Sequence, residues 1–213
     1  GAEYPPALLA GFVTLARAHG LALVVDETYR DFHSRQHPVH TLFADETWRD
    51  VLVHLYSFSK VFRLTGHRVG ALVASPARLA EAEKFLDTVA ICPNQLGQRA
   101  ALYGLQNLQG FIAEERAETL RRRAVVEAGF AALPGWHLLC CGAYFAYVRY
   151  DMQIDSPTLA QRLVADASLL VLPGTMFAPK GEQAAKRQLR IAFANANTQE
   201  LAVLFARLAA FGP

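Results

Sequence analysis

The sequence predicts an α/β protein in two parts: part of a mainly parallel-sheet domain over residues 1–110, then a smaller α+β domain over 111–213. Two observations carry that reading. In the first half, short and wholly apolar runs alternate with stretches of helical period, and such runs mark strands buried on both faces between helices. In the second half, three helical patterns in succession give way to short strands and two further helices, which suits a smaller α+β domain with its boundary inside 105–120.

The elements follow in order. Residues 5–19 place Leu8, Leu9, Phe12, Val13, Leu15 and Ala16 on one helical stripe, and Gly20 ends it. Leu21–Val25, Val51–Tyr56 and Val69–Ala74 are the three apolar runs expected as strands. Helices are predicted over 76–90, 94–108 and 110–132, the last with acidic residues early and arginines late, as the helix dipole favours. Then come strands at Trp136–Leu139, Ala143–Val148, Leu169–Leu172 and Gln188–Ala192, a helix near 157–166 and a final helix from about 197.

Composition narrows the function classes. Apolar residues make up 53% and charged residues 19%, which argues for an ordered soluble chain. A formal net charge of +2 gives no field that would draw nucleic acid or a membrane surface. The basic run Arg121–Arg123 lies behind Glu114, Glu115 and Glu118 and reads as a solvated helix face. No apolar stretch approaches the ~18 residues of a membrane span. Cys92, Cys140 and Cys141 have no zinc-site spacing, and adjacent cysteines pair only in a strained ring, so a reducing cytoplasm is expected. His33, His37 and His40 are read as scattered loop histidines, since no carboxylate or cysteine supports a metal site beside them.

Chemistry gathers at the predicted strand ends. The first strand runs out into Asp26-Glu27-Thr28-Tyr29, and the second into Ser57-Phe58-Ser59-Lys60; Arg68 follows between Gly66 and Gly70. In open α/β sheets, ligands bind outside the carboxyl ends of the strands. A lysine amine forms a Schiff base with a carbonyl when its surroundings keep it partly unprotonated. Two serines and an arginine suit a phosphate. A carboxylate can hold a protonated ring nitrogen, and a tyrosine can bond a phenolate. An aldehyde, a phosphate, a ring nitrogen and a phenolic oxygen on one molecule describe pyridoxal phosphate.

The stretch from Ser57 to Gly70 resembles the lysine attachment signature of the class I/II aminotransferases, and Asp26-Glu27-Thr28-Tyr29 resembles that family's cofactor-orienting pair. Gly142-Ala143-Tyr144-Phe145 and Val171-Leu172-Pro173-Gly174-Thr175-Met176-Phe177 are similar to two small-domain motifs, and Leu189-Arg190-Ile191-Ala192 to the strand whose arginine clamps a substrate carboxylate. The five landmarks stand in the family's order over nearly the whole chain. Arg63 departs from the pattern, where the family usually keeps a small or apolar residue.

The resemblance implies a fold type I pyridoxal-phosphate architecture, and a chain that lacks roughly as much sequence again ahead of Gly1. It implies Lys60 as the cofactor-bearing and proton-moving lysine, Asp26 at the pyridine nitrogen and Tyr29 at the phenolic oxygen. Ser57, Ser59 and Arg68 would hold the phosphate, and Arg190 the substrate α-carboxylate. The implied reaction moves an amino group from an amino acid to a 2-oxo acid, in a homodimer. The same residues serve carbon–sulfur β-lyases, and aminotransferase-like domains also act as effector modules of transcriptional regulators; both alternatives stay open at this point.

Overall fold

The computed structural model describes residues 1–211. The chain divides into two compact units: one is Tyr4–Glu114, and the other joins Gly1–Glu3 to the chain from Glu115 onward.

The first unit opens with helix α1 (Pro6–Ala18), which has proline at its first position, where no intrahelical donor is needed. Gly20, at φ +62°, ends it: the Leu21 N–H returns to the Ala16 carbonyl at 2.8 Å. Strand β1 (Leu23–Asp26) follows, then a short helix α2 (Trp48–Val51), strand β2 (Leu52–Ser57), a one-turn helix α3 (Phe58–Val61) and strand β3 (Gly70–Val73). Helices α4 (Pro76–Val89) and α5 (Gln95–Asn107) come next, capped by the side chains of Ser75 and Asn94. The boundary between the units falls inside helix α6 (Gln109–Ala131).

The sheet order is β1-β2-β3, with β1 parallel to β2 and β3 antiparallel to it. The sheet is therefore mixed, where the apolar runs alone suggested a mainly parallel one. Residues 58–69 hold only α3 and a 3₁₀ turn at Thr65–His67, so no helix crosses the sheet to carry the chain back for a parallel return. The expectation of strands buried on both faces also needs correction. Val24 is 56% exposed, and Leu72 and Val73 stand exposed as well, on the two outer strands of this sheet. Phe58, Val61, Val69 and Ala101 form the buried cluster beneath α3, with Tyr56, Phe62 and Ile112 packed against it.

In the second unit, strands β4 (Trp136–Gly142), β5 (Phe145–Tyr150), β6 (Leu172–Pro173) and β7 (Gln188–Ala192) form an antiparallel sheet of order β4-β5-β7-β6. Helix α7 (Ser156–Ala167) is capped by Asp155, whose carboxylate accepts the Thr158 N–H at 2.9 Å. Helix α8 (Thr198–Phe211) closes the described chain. Ala146, Val148 and Tyr150 of β5 and Leu189 and Ile191 of β7 bury against residues of α6, α7 and α8. The expected strand at Leu169–Leu172 shrinks to β6, since Ser168 turns the chain in a left-handed conformation and Leu170 is 84% exposed before pairing begins.

The Arg121–Arg123 run is not a uniform solvated face. Arg121 and Arg122 pair with Glu118 at 2.7 Å, and Arg122 also donates to the Ala194 carbonyl at 2.6 Å. Arg123 bridges Glu127 at 2.8 Å and Glu3 at 3.0 Å, tying the first residues to α6. Burial pushes the neighbouring Cys141 thiol up to about 12, which leaves it inert.

Gly129 marks the tightest helix contact: a Cβ there would lie 2.2 Å from the Phe205 ring. Gly129→Ala is expected to destabilise the protein by about 1–2 kcal/mol in urea unfolding, overpacking outweighing the roughly 1 kcal/mol gained in helix propensity. A variant as stable as the parent would show that the α6–α8 contact is looser than drawn.

Candidate active site

Strand direction assembles the site. Because β1 and β2 are parallel, Asp26 and Ser57 end their strands at the same end of the sheet. Because β3 is antiparallel, its first residue, Gly70, pairs with Ser57, and Arg68 lies two residues ahead of it. A parallel β3 would start at the opposite end of the sheet and take Arg68 with it. The fold thus brings Asp26, Ser57, Ser59, Lys60 and Arg68 to one end of the sheet, with Tyr29 in the turn beyond β1.

Local chemistry holds each side chain. Asp26 Oδ1 accepts the Thr28 N–H at 3.0 Å and the Thr28 hydroxyl at 2.6 Å, a side-chain turn that leaves Oδ2 clear among the described residues. Tyr29 is half-buried and leads into a 3₁₀ turn at Arg30–Phe32. The Ser57 hydroxyl oxygen accepts the Ser59 N–H at 3.2 Å and so starts α3. Ser59 is buried, and its carbonyl accepts the Thr65 hydroxyl at 3.0 Å, closing the loop after the lysine. Lys60 is half-buried on α3, with no carboxylate at ion-pair distance among the described residues. Arg68 sits at φ 52°, a conformation costly for a residue with a Cβ, and its guanidinium donates to the Thr65 carbonyl at 3.0 Å. Arg63, the departure from the family pattern, is exposed and lays its guanidinium over the Phe111 ring at 5.5 Å.

The sequence did not disclose the polar cluster behind this end of the sheet. Glu27 is buried, and its Oε1 accepts His40 Nε2 at 2.8 Å. His54 Nε2 lies 2.8 Å from Oε2 in a bent contact that makes no well-aligned hydrogen bond, and Arg30 Nη1 lies 3.3 Å from the same oxygen. Burial alone would raise the Glu27 carboxyl, but the two imidazoles and the Arg30 charge outweigh it and hold it well below the usual carboxylate range. His40 is therefore a buried, paired residue and not one of three scattered loop histidines. Beside it, the Tyr56 hydroxyl donates to Asp31; burial and that carboxylate push the phenol far above its ordinary value.

Arg190 belongs to the second unit. It lies on β7 between Leu189 and Ile191, which both face the core, so its side chain takes the opposite face of the sheet. The guanidinium stands 4.0 Å from the Phe177 ring centroid and 4.8 Å from that of Phe145, and its Nε is buried without a hydrogen-bond partner. A half-buried guanidinium between two rings, with its buried Nε short of an acceptor, is arranged to take one.

Known proteins resemble this chain in family and fold. The family model for aminotransferase class I and II matches residues 1–208. A putative aminotransferase of Bacillus subtilis, YugH, is 27% identical over 190 residues, covering 85% of this chain and 47% of the relative. Aromatic-amino-acid aminotransferase 2 of Thermococcus litoralis is 26% identical over 181 residues, covering 84% of this chain and 46% of the relative. The structure of an aminotransferase from Staphylococcus aureus superposes with a TM-score of 0.86 at 25% identity, over 99% of this chain and 55% of that one. The fold is that of the fold type I pyridoxal-phosphate enzymes. The chain spans about half the length of the curated relatives it matches.

Proposed function

The chain belongs to the class I and II aminotransferases, and from that premise we propose that its protein transfers an amino group from an amino acid to a 2-oxo acid with pyridoxal phosphate. The relatives are named aminotransferases, which favours this reaction over a carbon–sulfur elimination or an effector role. The observation that carries the reading is the meeting of Asp26, Ser57, Ser59, Lys60 and Arg68 at one end of one mixed sheet.

The residues fit the cofactor. Asp26 keeps one oxygen clear, Lys60 is half-buried with no carboxylate partner, and two hydroxyls and a guanidinium surround the turn after β2. When bound, pyridoxal phosphate supplies an electron sink for the substrate Cα. Lys60 Nζ would anchor the cofactor and would carry a proton to and from that Cα. Asp26 holds the proton on the ring nitrogen, and Tyr29 hydrogen-bonds the phenolic oxygen. Ser57, Ser59 and Arg68 hold the phosphate. Arg190, with its buried and unpartnered Nε, takes the substrate α-carboxylate, fixing the Cα–H for transfer.

Division of the chain at residues 110 and 111, homodimerisation and a cytoplasmic location complete the proposal. The dimer follows from the family, and three free cysteines suit a reducing compartment. No helix among the described residues is long and apolar enough to cross a membrane. Borohydride reduction in the presence of pyridoxal phosphate, followed by peptide mass mapping of the full gene product, tests the reading. A pyridoxyl adduct on Lys60 is expected; its absence would remove the cofactor and the lysine from the proposal together.

A further inference from the structure

The proposed reaction leaves the buried Glu27 cluster without a task. Glu27 directly follows Asp26 and precedes Tyr29 by two residues, so its backbone fixes where both begin. The backbone is itself anchored, since the Glu27 N–H donates to the Leu55 carbonyl of β2 at 2.9 Å. Its side chain is hydrogen-bonded by His40 in the segment before α2 and by Arg30 in the 3₁₀ turn, and His54 on β2 lies against it at 2.8 Å without a well-aligned bond. The Leu42 N–H donates to His40 Nδ1 at 3.3 Å, so that nitrogen carries no proton and Nε2–H must be the donor to Glu27. A second tie, from Tyr56 of β2 to Asp31, closes the far side of the segment, leaving Tyr29 between two fixed points.

We propose that Glu27 is a positioning residue, whose carboxylate, hydrogen-bonded by His40 and Arg30 and set against His54 of β2, fixes the Asp26–Tyr29 segment on β2 and so sets Asp26 and Tyr29 against the cofactor. Stability alone gives a weak reason for such a cluster, because apolar residues of similar volume commonly replace buried ion pairs without loss. Direction is what the charged network adds: hydrogen bonds to a carboxylate fix distance and angle, as apolar packing does not. The inference rests on the cofactor reading above for the identity of the ligand.

Absorbance titration of pyridoxal phosphate into the full gene product tests it, with the pH midpoint of the bound cofactor's visible band and the thermal midpoint read alongside. Glu27→Gln keeps the volume and removes the charge; His40→Leu removes the donor; His40→Gln restores a donor at nearly the same point. Glu27→Gln and His40→Leu are expected to weaken cofactor binding about tenfold or more, as loss of a hydrogen bond to a charged group does. They should also move the band midpoint by more than about half a unit. His40→Gln should return both readings to the parent's values. Unchanged affinity and band midpoint in Glu27→Gln and His40→Leu would overturn the proposal. So would losses that follow the thermal midpoint while the band stays put, since that marks a structural role only. Should Glu27→Gln not fold, the two His40 variants decide alone. A parent protein that takes up no pyridoxal phosphate would overturn the cofactor reading first, and this proposal with it.

Discussion

Replacing Lys60 by Ala is expected to lower turnover of the full gene product by about 10⁴-fold or more, the scale on which positioned acid–base groups act, with the covalent anchor lost as well. Half-burial on a one-turn helix begun by Ser57 gives the amine a fixed origin, and no carboxylate among the described residues competes for it. Single-turnover measurement with an amino-acid substrate separates the two losses. Pyridoxal phosphate should still bind, through the serines and Arg68, but substrate should be consumed only very slowly. Added small amines should recover part of the rate, because they can carry a proton without the tether. Near-normal turnover in the variant would sink the assignment of Lys60.

The second large effect is expected at Asp26. Its carboxylate is held at the strand end by two bonds from Thr28 to one oxygen. Asp26→Ala should lower kcat by about a thousandfold while cofactor affinity changes much less, because a charge that steadies a protonated ring nitrogen acts chiefly on the transition state. Asp26→Glu retains the charge but not the reach and should fall between. If Asp26→Ala lost cofactor binding and kept kcat at saturating cofactor, the carboxylate would be an anchor and not an electronic partner.

Local signals made much of the molecule legible in the sequence. Helices α1, α4 and α7 begin with proline in their first turn, and Ser75, Asn94 and Asp155 cap the helices they precede. Lys60 was readable because strand end, serine cap and lysine lie within four consecutive residues. What escaped depends on partners far along the chain. An apolar run reads the same in either direction, so nothing local showed that β3 turns back along β2. Glu27 and His40 are 13 residues apart with no shared period, and His54 lies on another strand, so their burial as a group had no sequence signature. Arg123 likewise finds Glu3 only once the first residues are folded against α6.

The adjacent acids Asp26 and Glu27 divide the two sides of one strand end between them: Asp26 is exposed and Glu27 buried. Side chains along a strand alternate with a period of two, so removing or adding a single residue just before them would exchange their sides. The aspartate would then turn inward toward His54, one methylene short, and the glutamate would face out on the side proposed for the ring nitrogen. This stretch can therefore drift in composition but hardly in length. Insertions and deletions among descendants of this sequence belong before Leu23 or after the 3₁₀ turn at Arg30–Phe32, where parity no longer matters.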